Sequence, residues 1–263
     1  MNGGQGGIRT PGTLARSPVF KTGAINRSAT CPTPALYRLG AFPSSKGSTV
    51  ERLKPTLIPL GDRALLVRFG DTLSDAANRT AVASARRLER AGLPDVVEVV
   101  PGLVSVLLNC AVGVDLRRLA GEVGLALEGP TEMVPEPVQH RIPARLDGED
   151  VAEVAAALGM EVAAFRARHN AAPLRVLATG FAPGFVYCGF HPADMVVPRR
   201  TQVRAMVPAG TILFAAAQTA IAATPIRTGW HVIGRTAFQN FDASATSPTR
   251  LAAGDDIVFE DMA

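Results

Sequence analysis

The chain has 263 residues, 47% of them hydrophobic and 19% charged, which is material for packed cores and excludes global disorder; no run approaches the roughly 18 apolar residues that a membrane span needs. Of its 27 bases and 23 acids, eight bases and Glu51 lie in residues 1–55, and the 19 bases and 22 acids left over give the remainder a charge of −3. The basic balance of +4 therefore belongs to the first segment, and the body of the chain has no footprint for nucleic acid.

Residues 1–50 are rich in Gly, Pro, Ser, Thr and Arg and show neither helical nor alternating periodicity. Residues 1–52 are expected to be a disordered or spurious extension. A transit peptide is one alternative. Another rests on the string G-G-I-R-T-P-G-T-L-A-R-S-P-V-F-K-T-G, which resembles a translated transfer-RNA gene and would put the true start near Val50. The N-terminus lacks the apolar core of a secretory signal. Cys31, Cys110 and Cys188 form no C-x-x-C pair. Neither a zinc knuckle nor a disulfide framework is expected, and the expected compartment is the cytoplasm.

Regular patterning begins at Thr56. Thr56–Pro59 and Ala64–Phe69 are expected to be extended around a turn at Gly61-Asp62. Ser74 is suited to cap a helix over 75–91 whose Ala77, Ala81, Ala85 and Leu88 share a face, with Gly92 and Pro94 ending it. Val96–Val100 and Leu103–Asn109 read as strands about the turn Pro101-Gly102. A helix from 115 to 126 follows, capped by Asp115 and burying Leu116, Leu119 and Val123. With a further strand at Val138–Ile142 the order is β-α-β-β-α-β, and residues 53–137 are expected to form a ferredoxin-like domain.

Residues 138–263 change character. Asp147–Asp150 opens a short helix with Val151, Val154 and Ala155 inward, and a second helix over 161–169 carries Val162, Phe165 and His169 on one stripe. Short β-rich pieces follow at Leu174–Ala178, Thr211–Ala217, Ala220–Ala223, His231–Arg235 and Asp256–Glu260. Many short strands between Gly, Pro and Asn turns predict a barrel. The expected fold class is α+β.

The stretch T-G-F-A-P-G-F-V-Y-C-G-F-H-P at 179–192 is a stiff loop suited to a carboxylate, carbonyl or phosphate oxygen. It has neither Walker spacing nor a G-x-S-x-G elbow, and the chain holds no dinucleotide fingerprint. His169 is either a packed histidine or a proton shuttle at the barrel mouth. Arg199 and Arg200 either hold an anion bidentately or sit in solvent. Gln218, in an apolar strand, needs amide partners and is expected in a cleft. Trp230 is core or ligand platform, Arg235 faces the cleft or water, and His191 is expected at the surface. No cluster has metal-ligand spacing.

G-F-A-P-G-F at 180–185, V-P-R-R at 197–200, V-P-A-G at 207–210, Gln218-Thr219, Gly229-Trp230, I-G-R-T at 233–236 and A-G-D-D-I-V-F at 253–259 follow one another as in the family that holds the B-type subunit of 5-oxoprolinase and allophanate hydrolase subunit 1. The opening G-D-R-A-L-L-V-R-F-G at 61–70 resembles it too. The resemblance implies a cyclophilin-like barrel and an enzyme subunit that opens 5-oxoproline with ATP. A second carboxyltransferase-type subunit and a third subunit would complete it. Carboxyl transfer in a urea carboxylase or allophanate hydrolase system, and inhibition of a sensor histidine kinase, are the alternatives. The residues expected to carry the chemistry are His169, Arg199 and Arg200 for catalysis, with Gly180, Phe181, Pro183, Gly184, Phe185, Gln218, Thr219, Trp230 and Arg235 around the substrate. The family has G-G-Q-T-G where this chain has Ala216-Ala217-Gln218-Thr219-Ala220.

Deleting residues 1–52 is expected to leave the melting temperature unchanged in thermal denaturation. A fall of more than about 4 °C, the shift that ~1 kcal/mol gives a domain of this size, would show that the segment contributes to a core.

Overall fold

The structure is a computed structural model that describes residues 53–128 and 137–262; the segment 1–52 lies outside them. β1 (Thr56–Leu60) and β2 (Ala64–Arg68) form an antiparallel hairpin. Gly61 supplies its left-handed residue, φ 64°. Helix α1 (Asp75–Ala91) begins where Ser74 accepts from the Ala77 amide at 3.2 Å and ends at left-handed Gly92. Its Ala77, Ala81, Ala85 and Leu88 are buried, as the periodicity requires. β3 (Val96–Pro101), β4 (Ser105–Cys110) and α2 (Leu116–Glu128) complete this part. Asp115 accepts from the amides of Arg117 and Arg118 and caps α2. The sheet runs β1-β2-β4-β3 with every pair antiparallel. Leu65 and Val67 of β2 and Val106 and Leu108 of β4 meet Leu119 and Val123 of α2 in one core.

The remaining elements are β5 (Gln139–Arg145), α3 (Val151–Ala157), α4 (Val162–His169), β6 (Leu174–Thr179), β7 (Val186–Gly189), β8 (Arg204–Val207), β9 (Thr211–Ala215), β10 (Gln218–Ile221), β11 (Ile226–Thr228), β12 (His231–Thr236) and β13 (Asp256–Asp261). Seven of these strands close a barrel in the order β10-β7-β6-β13-β5-β12-β9, and β8 pairs with β11 beside it. The barrel is as the strand pattern predicts. The ferredoxin-like order needs the strand at 138–142 to return to the first sheet. Instead β5 lies in the barrel, parallel to β13 and antiparallel to β12. The reason is its alternation: Ile142 and Ala144 are buried in the barrel core, which the first sheet does not provide.

α1 bridges the two cores. Asn78, fully buried, donates through Nδ2 to Leu103 O and to Leu177 O of β6, each at 2.9 Å. Arg86 donates to Ala253 O at 3.1 Å, and Arg175 of β6 pairs with Asp75. The backbone passes so close at Gly254 that an added Cβ would lie 3.0 Å from both Val82 Cγ1 and Arg86 Nη2.

The expected strands Thr211–Ala217 and Ala220–Ala223 are both present, with their bounds moved. Thr211–Ala217 breaks after Ala215, and Ala216 and Ala217 make the turn into β10 with φ of 50° and 56°. That is the left-handed geometry of a two-residue hairpin turn, which Gly or Asn ordinarily announces. β7, β8 and β11 also form where no strand is predicted, because four residues or fewer carry little periodicity. Each left-handed alanine costs about 1 kcal/mol against glycine. Ala216→Gly with Ala217→Gly is therefore expected to raise the urea unfolding free energy by roughly 1 kcal/mol after glycine's unfolded-state entropy is deducted; a loss of stability would contradict the turn geometry.

Candidate functional site

The wall formed by β7, β10 and β9 has two faces, and the register assigns each side chain to one of them. Thr219 lies opposite Phe214 and Cys188, facing the barrel core. Gln218 lies opposite Ala215, and Ala220 opposite Tyr187, on the outer face. His231 pairs with Phe214, so Trp230 continues the outer row beyond Ala215.

Inside, His169 and His191 are 1% and 2% exposed and share one hydroxyl. Each ring brings Nε2 to 2.8 Å from Thr219 Oγ1, with ring centroids 4.7 Å apart. Phe165, Phe214 and Phe259 surround His169. His169 Nδ1–H donates to Asn170 Oδ1 at 2.7 Å. Its Nε2 is then bare and accepts from the Thr219 hydroxyl, which in turn accepts from His191 Nε2–H. Burial pushes His169 down to about 4, and burial together with the neighbouring His169 lowers His191 well below its ordinary value. His191 is thus not the surface histidine expected: Thr219 and the aromatic lining give it a buried seat. His169 is enclosed in the core with both nitrogens engaged rather than open at a barrel mouth.

Outside, an aromatic ladder crosses the wall. Phe181 meets Phe185 at 5.3 Å between centroids, Phe185 meets Tyr187 at 4.9 Å, and Tyr187 meets Trp230 at 5.9 Å. The Arg199 guanidinium lies 5.6 Å from the Trp230 ring centre, a cation–π contact. Burial raises the Tyr187 phenol, against the pull of nearby Arg199. The loop before β7 is tightly made. Phe181 and Gly184 have φ of 75° and 68°, Gly180 N–H donates to Phe185 O, and Asn240 Nδ2 donates to Gly184 O at 2.7 Å. A Cβ on Gly184 would fall 2.6 Å from Phe241 Cβ, so only glycine fits. Phe181 and Pro183 are exposed at its tip. Gln218 is 9% exposed, and its Nε2 has no hydrogen-bond partner in the protein.

The outer face therefore gathers Phe181, Phe185, Gln218, Trp230 and Arg199. It does not gather the rest of the expected set. Thr219 points the other way. Arg200 pairs with Asp150 and Glu153, and Arg235 pairs with Asp147 at 2.9 Å. The sequence patterns single out neither Tyr187 nor Asp150; Tyr187 sits inside the glycine-aromatic loop motif, whereas Asp150 carries only a helix-opening signal. Among the described residues no three His, Cys, Asp or Glu side chains are placed to hold a metal ion.

Residues 55–251 match the family model for the carboxyltransferase domain, subdomain C and D. The chain is 28% identical over 219 residues to the B-type subunit of 5-oxoprolinase from Bacillus subtilis, covering 76% of this chain and 90% of that protein. Against the corresponding 5-oxoprolinase subunit of Haemophilus influenzae it is 30% identical over 209 residues, covering 77% and 96%. The crystal structure of TTHA0988 superposes with a TM-score of 0.69 at 33% identity. The match covers 76% of this chain but 40% of TTHA0988, so this chain spans less than half of that one. Kluyveromyces lactis urea carboxylase shares the fold, with a TM-score of 0.63 at 15% identity over 83% of this chain and 22% of its own.

The two histidines make stability depend on acid. They are neutral in the fold, whereas in the unfolded chain each charges near its ordinary 6.5. The unfolded state thus binds more protons as pH drops, so the stabilisation is complete above 6.5 and lost as pH falls towards 4. For His169 alone the loss amounts to about 3 kcal/mol by pH 4. Urea unfolding between pH 8 and pH 4 checks this, and a midpoint that stays level below pH 6.5 would contradict the buried neutral pair.

Proposed function

The chain belongs to the family of carboxyltransferase domains, subdomain C and D, and from that membership we propose that it is the B-type subunit of an ATP-dependent 5-oxoprolinase. The relatives that are B-type subunits of 5-oxoprolinase support this reading, and a protein named as a subunit implies partner subunits. In the proposed reaction ATP phosphorylates the lactam oxygen of 5-oxoproline. Water then attacks the activated carbon and the ring C–N bond breaks to give γ-glutamyl phosphate; a second water hydrolyses that acyl phosphate to glutamate and phosphate, ADP having left in the first step. The barrel is read as the cyclophilin-like element of this family. The second carboxyltransferase-type subunit and a third subunit supply the ATP site, because this chain has no phosphate loop. The reading places the enzyme in the cytoplasm, in keeping with free, buried Cys110 and Cys188. No helix of the described residues is long and apolar enough to cross a membrane.

The observation that carries the proposal is the unpartnered Gln218 amide on the same face as Arg199 and Trp230. A buried donor without an acceptor costs about 1–3 kcal/mol, a cost that a bound carbonyl oxygen removes. Arg199 suits the carboxylate of 5-oxoproline, Gln218 Nε2–H suits its lactam oxygen, and the ladder gives the ring an apolar wall. The same amide fixes the position of that oxygen as it attacks the γ-phosphorus of ATP. Arg200, held by Asp150, supports this site rather than touching substrate, and His169 is a core residue behind it.

Co-expressed with its partner subunits, the chain is expected to release glutamate from 5-oxoproline with ATP hydrolysis; purified alone it is expected to show none. Gln218→Leu is expected to lower kcat of the complex about 100-fold, the cost of misplacing a reacting atom. Its thermal stability should be unchanged or higher, since a buried unpaired donor is gone. Full activity in that variant, or turnover by the isolated chain, would contradict the assignment. Carboxyl transfer from a biotin carrier without ATP hydrolysis would favour the urea carboxylase reading.

A further inference from the structure

Arg199 and Trp230 belong to different segments, yet the residues on either side of one are tied to the residues on either side of the other. Arg200 N–H donates to Gly229 O at 2.7 Å. His231 Nε2–H donates to Pro198 O at 3.0 Å. Behind these two ties stands one carboxylate. Asp150, 4% exposed, receives Arg200 Nη1 at 2.7 Å and Arg204 Nη2 at 2.6 Å on Oδ1, and the Val232 amide at 2.7 Å on Oδ2. Arg200 adjoins Arg199, Val232 lies two residues past Trp230, and Arg204 opens β8. Glu153 and Glu149 add outer contacts to Arg200 and Arg204. Burial alone would raise the Asp150 carboxyl, but the Val232 amide and the guanidinium groups outweigh it and hold it below the ordinary value. Asp150 is the N-cap residue of α3 but makes no side-chain capping bond to that helix. Its bonding capacity goes instead to the segments that carry the site.

We infer that Asp150 is the positioning residue of the candidate site: it clamps the 198–204 segment to the start of β12, holds the Arg199 guanidinium over Trp230, and so sets the affinity for a substrate anion. The affinity half rests on the reading of Arg199 as the anion contact. A charged three-donor clamp is rigid, because removing the charge weakens two charge-assisted bonds at once. Without it, Arg199 keeps its charge but loses its place, which raises KM while leaving later chemistry alone.

Trp230 is the chain's only tryptophan, so intrinsic fluorescence reports on this one position. Asp150→Asn keeps the shape and can still accept from Val232 N–H. In the full chain its Trp230 emission is expected to shift to the red and become more open to acrylamide quenching. In the co-expressed complex its KM for 5-oxoproline is expected to rise about tenfold with kcat nearly unchanged. On an Arg199→Ala background, which raises KM by itself, Asp150→Asn is expected to add nothing further, since it acts through Arg199. If Asp150→Asn does not fold, Arg200→Gln cuts the same tie from its other end and is expected to give the same red shift. Unchanged Trp230 emission in the folded variant, or a KM penalty that multiplies with that of Arg199→Ala, would overturn the inference. Wild-type KM in Arg199→Ala would overturn the anion-contact reading and the affinity half with it, while the Trp230 emission still decides the clamp.

Discussion

Gln218 and Thr219 are consecutive, and the barrel wall runs between their side chains. That single alternation organises the site. The Thr219 hydroxyl is taken up by two neutral imidazoles in the core, which pins the strand from inside. The adjacent amide must then point outward, on the face that carries Tyr187 and Trp230. A slip of one residue would put an amide among Phe165, Phe214 and Phe259 and a hydroxyl on the outer face, exchanging every side chain of β10 between faces. The histidine pair is accordingly a structural element with a functional consequence. It is buried in the core, yet it decides which side chain of β10 the outer face presents.

The site is assembled from segments distant in sequence. Loop 180–185, β10, the 198–204 segment and the start of β12 meet because polar groups tie them. Asn240 holds the loop, and Asp150 holds the arginine segment against β12. Buried carboxylates of this kind contribute little net stability, since desolvation offsets much of the attraction. What they supply is one arrangement rather than several. The orphaned Gln218 donor sits in such a frame, which can tolerate an unpaired amide.

The first sheet and its helices are joined to the barrel by polar contacts as well. Asn78 divides its amide hydrogens between a carbonyl of the first part and a carbonyl of β6. Arg175, nearly buried, relies on Asp75 and lies against the Phe190 ring. Such contacts are directional, so α1 has one seat on the barrel, whereas apolar surfaces alone would let it slide.

Much was legible in the sequence by itself. α1 was readable because seventeen residues carry a four-point apolar stripe between Ser74 and Gly92, and local capping needs no tertiary partner. The barrel was readable as a class from strand length and turn spacing, and Gln218 from its polarity in an apolar run. Tertiary structure alone decided the rest. β5 joined the barrel because its buried alternation found a core there, and its partners β12 and β13 are distant in sequence. His191 became a core residue through a hydroxyl 28 positions away. Arg200 is taken up by Asp150, 50 positions earlier, while its neighbour Arg199 lies over the Trp230 ring. The physical reason is common to all three. Periodicity reports which face of its own element a residue occupies, whereas the pairing of a charge or a donor depends on which other element arrives opposite, and only the closed fold determines that.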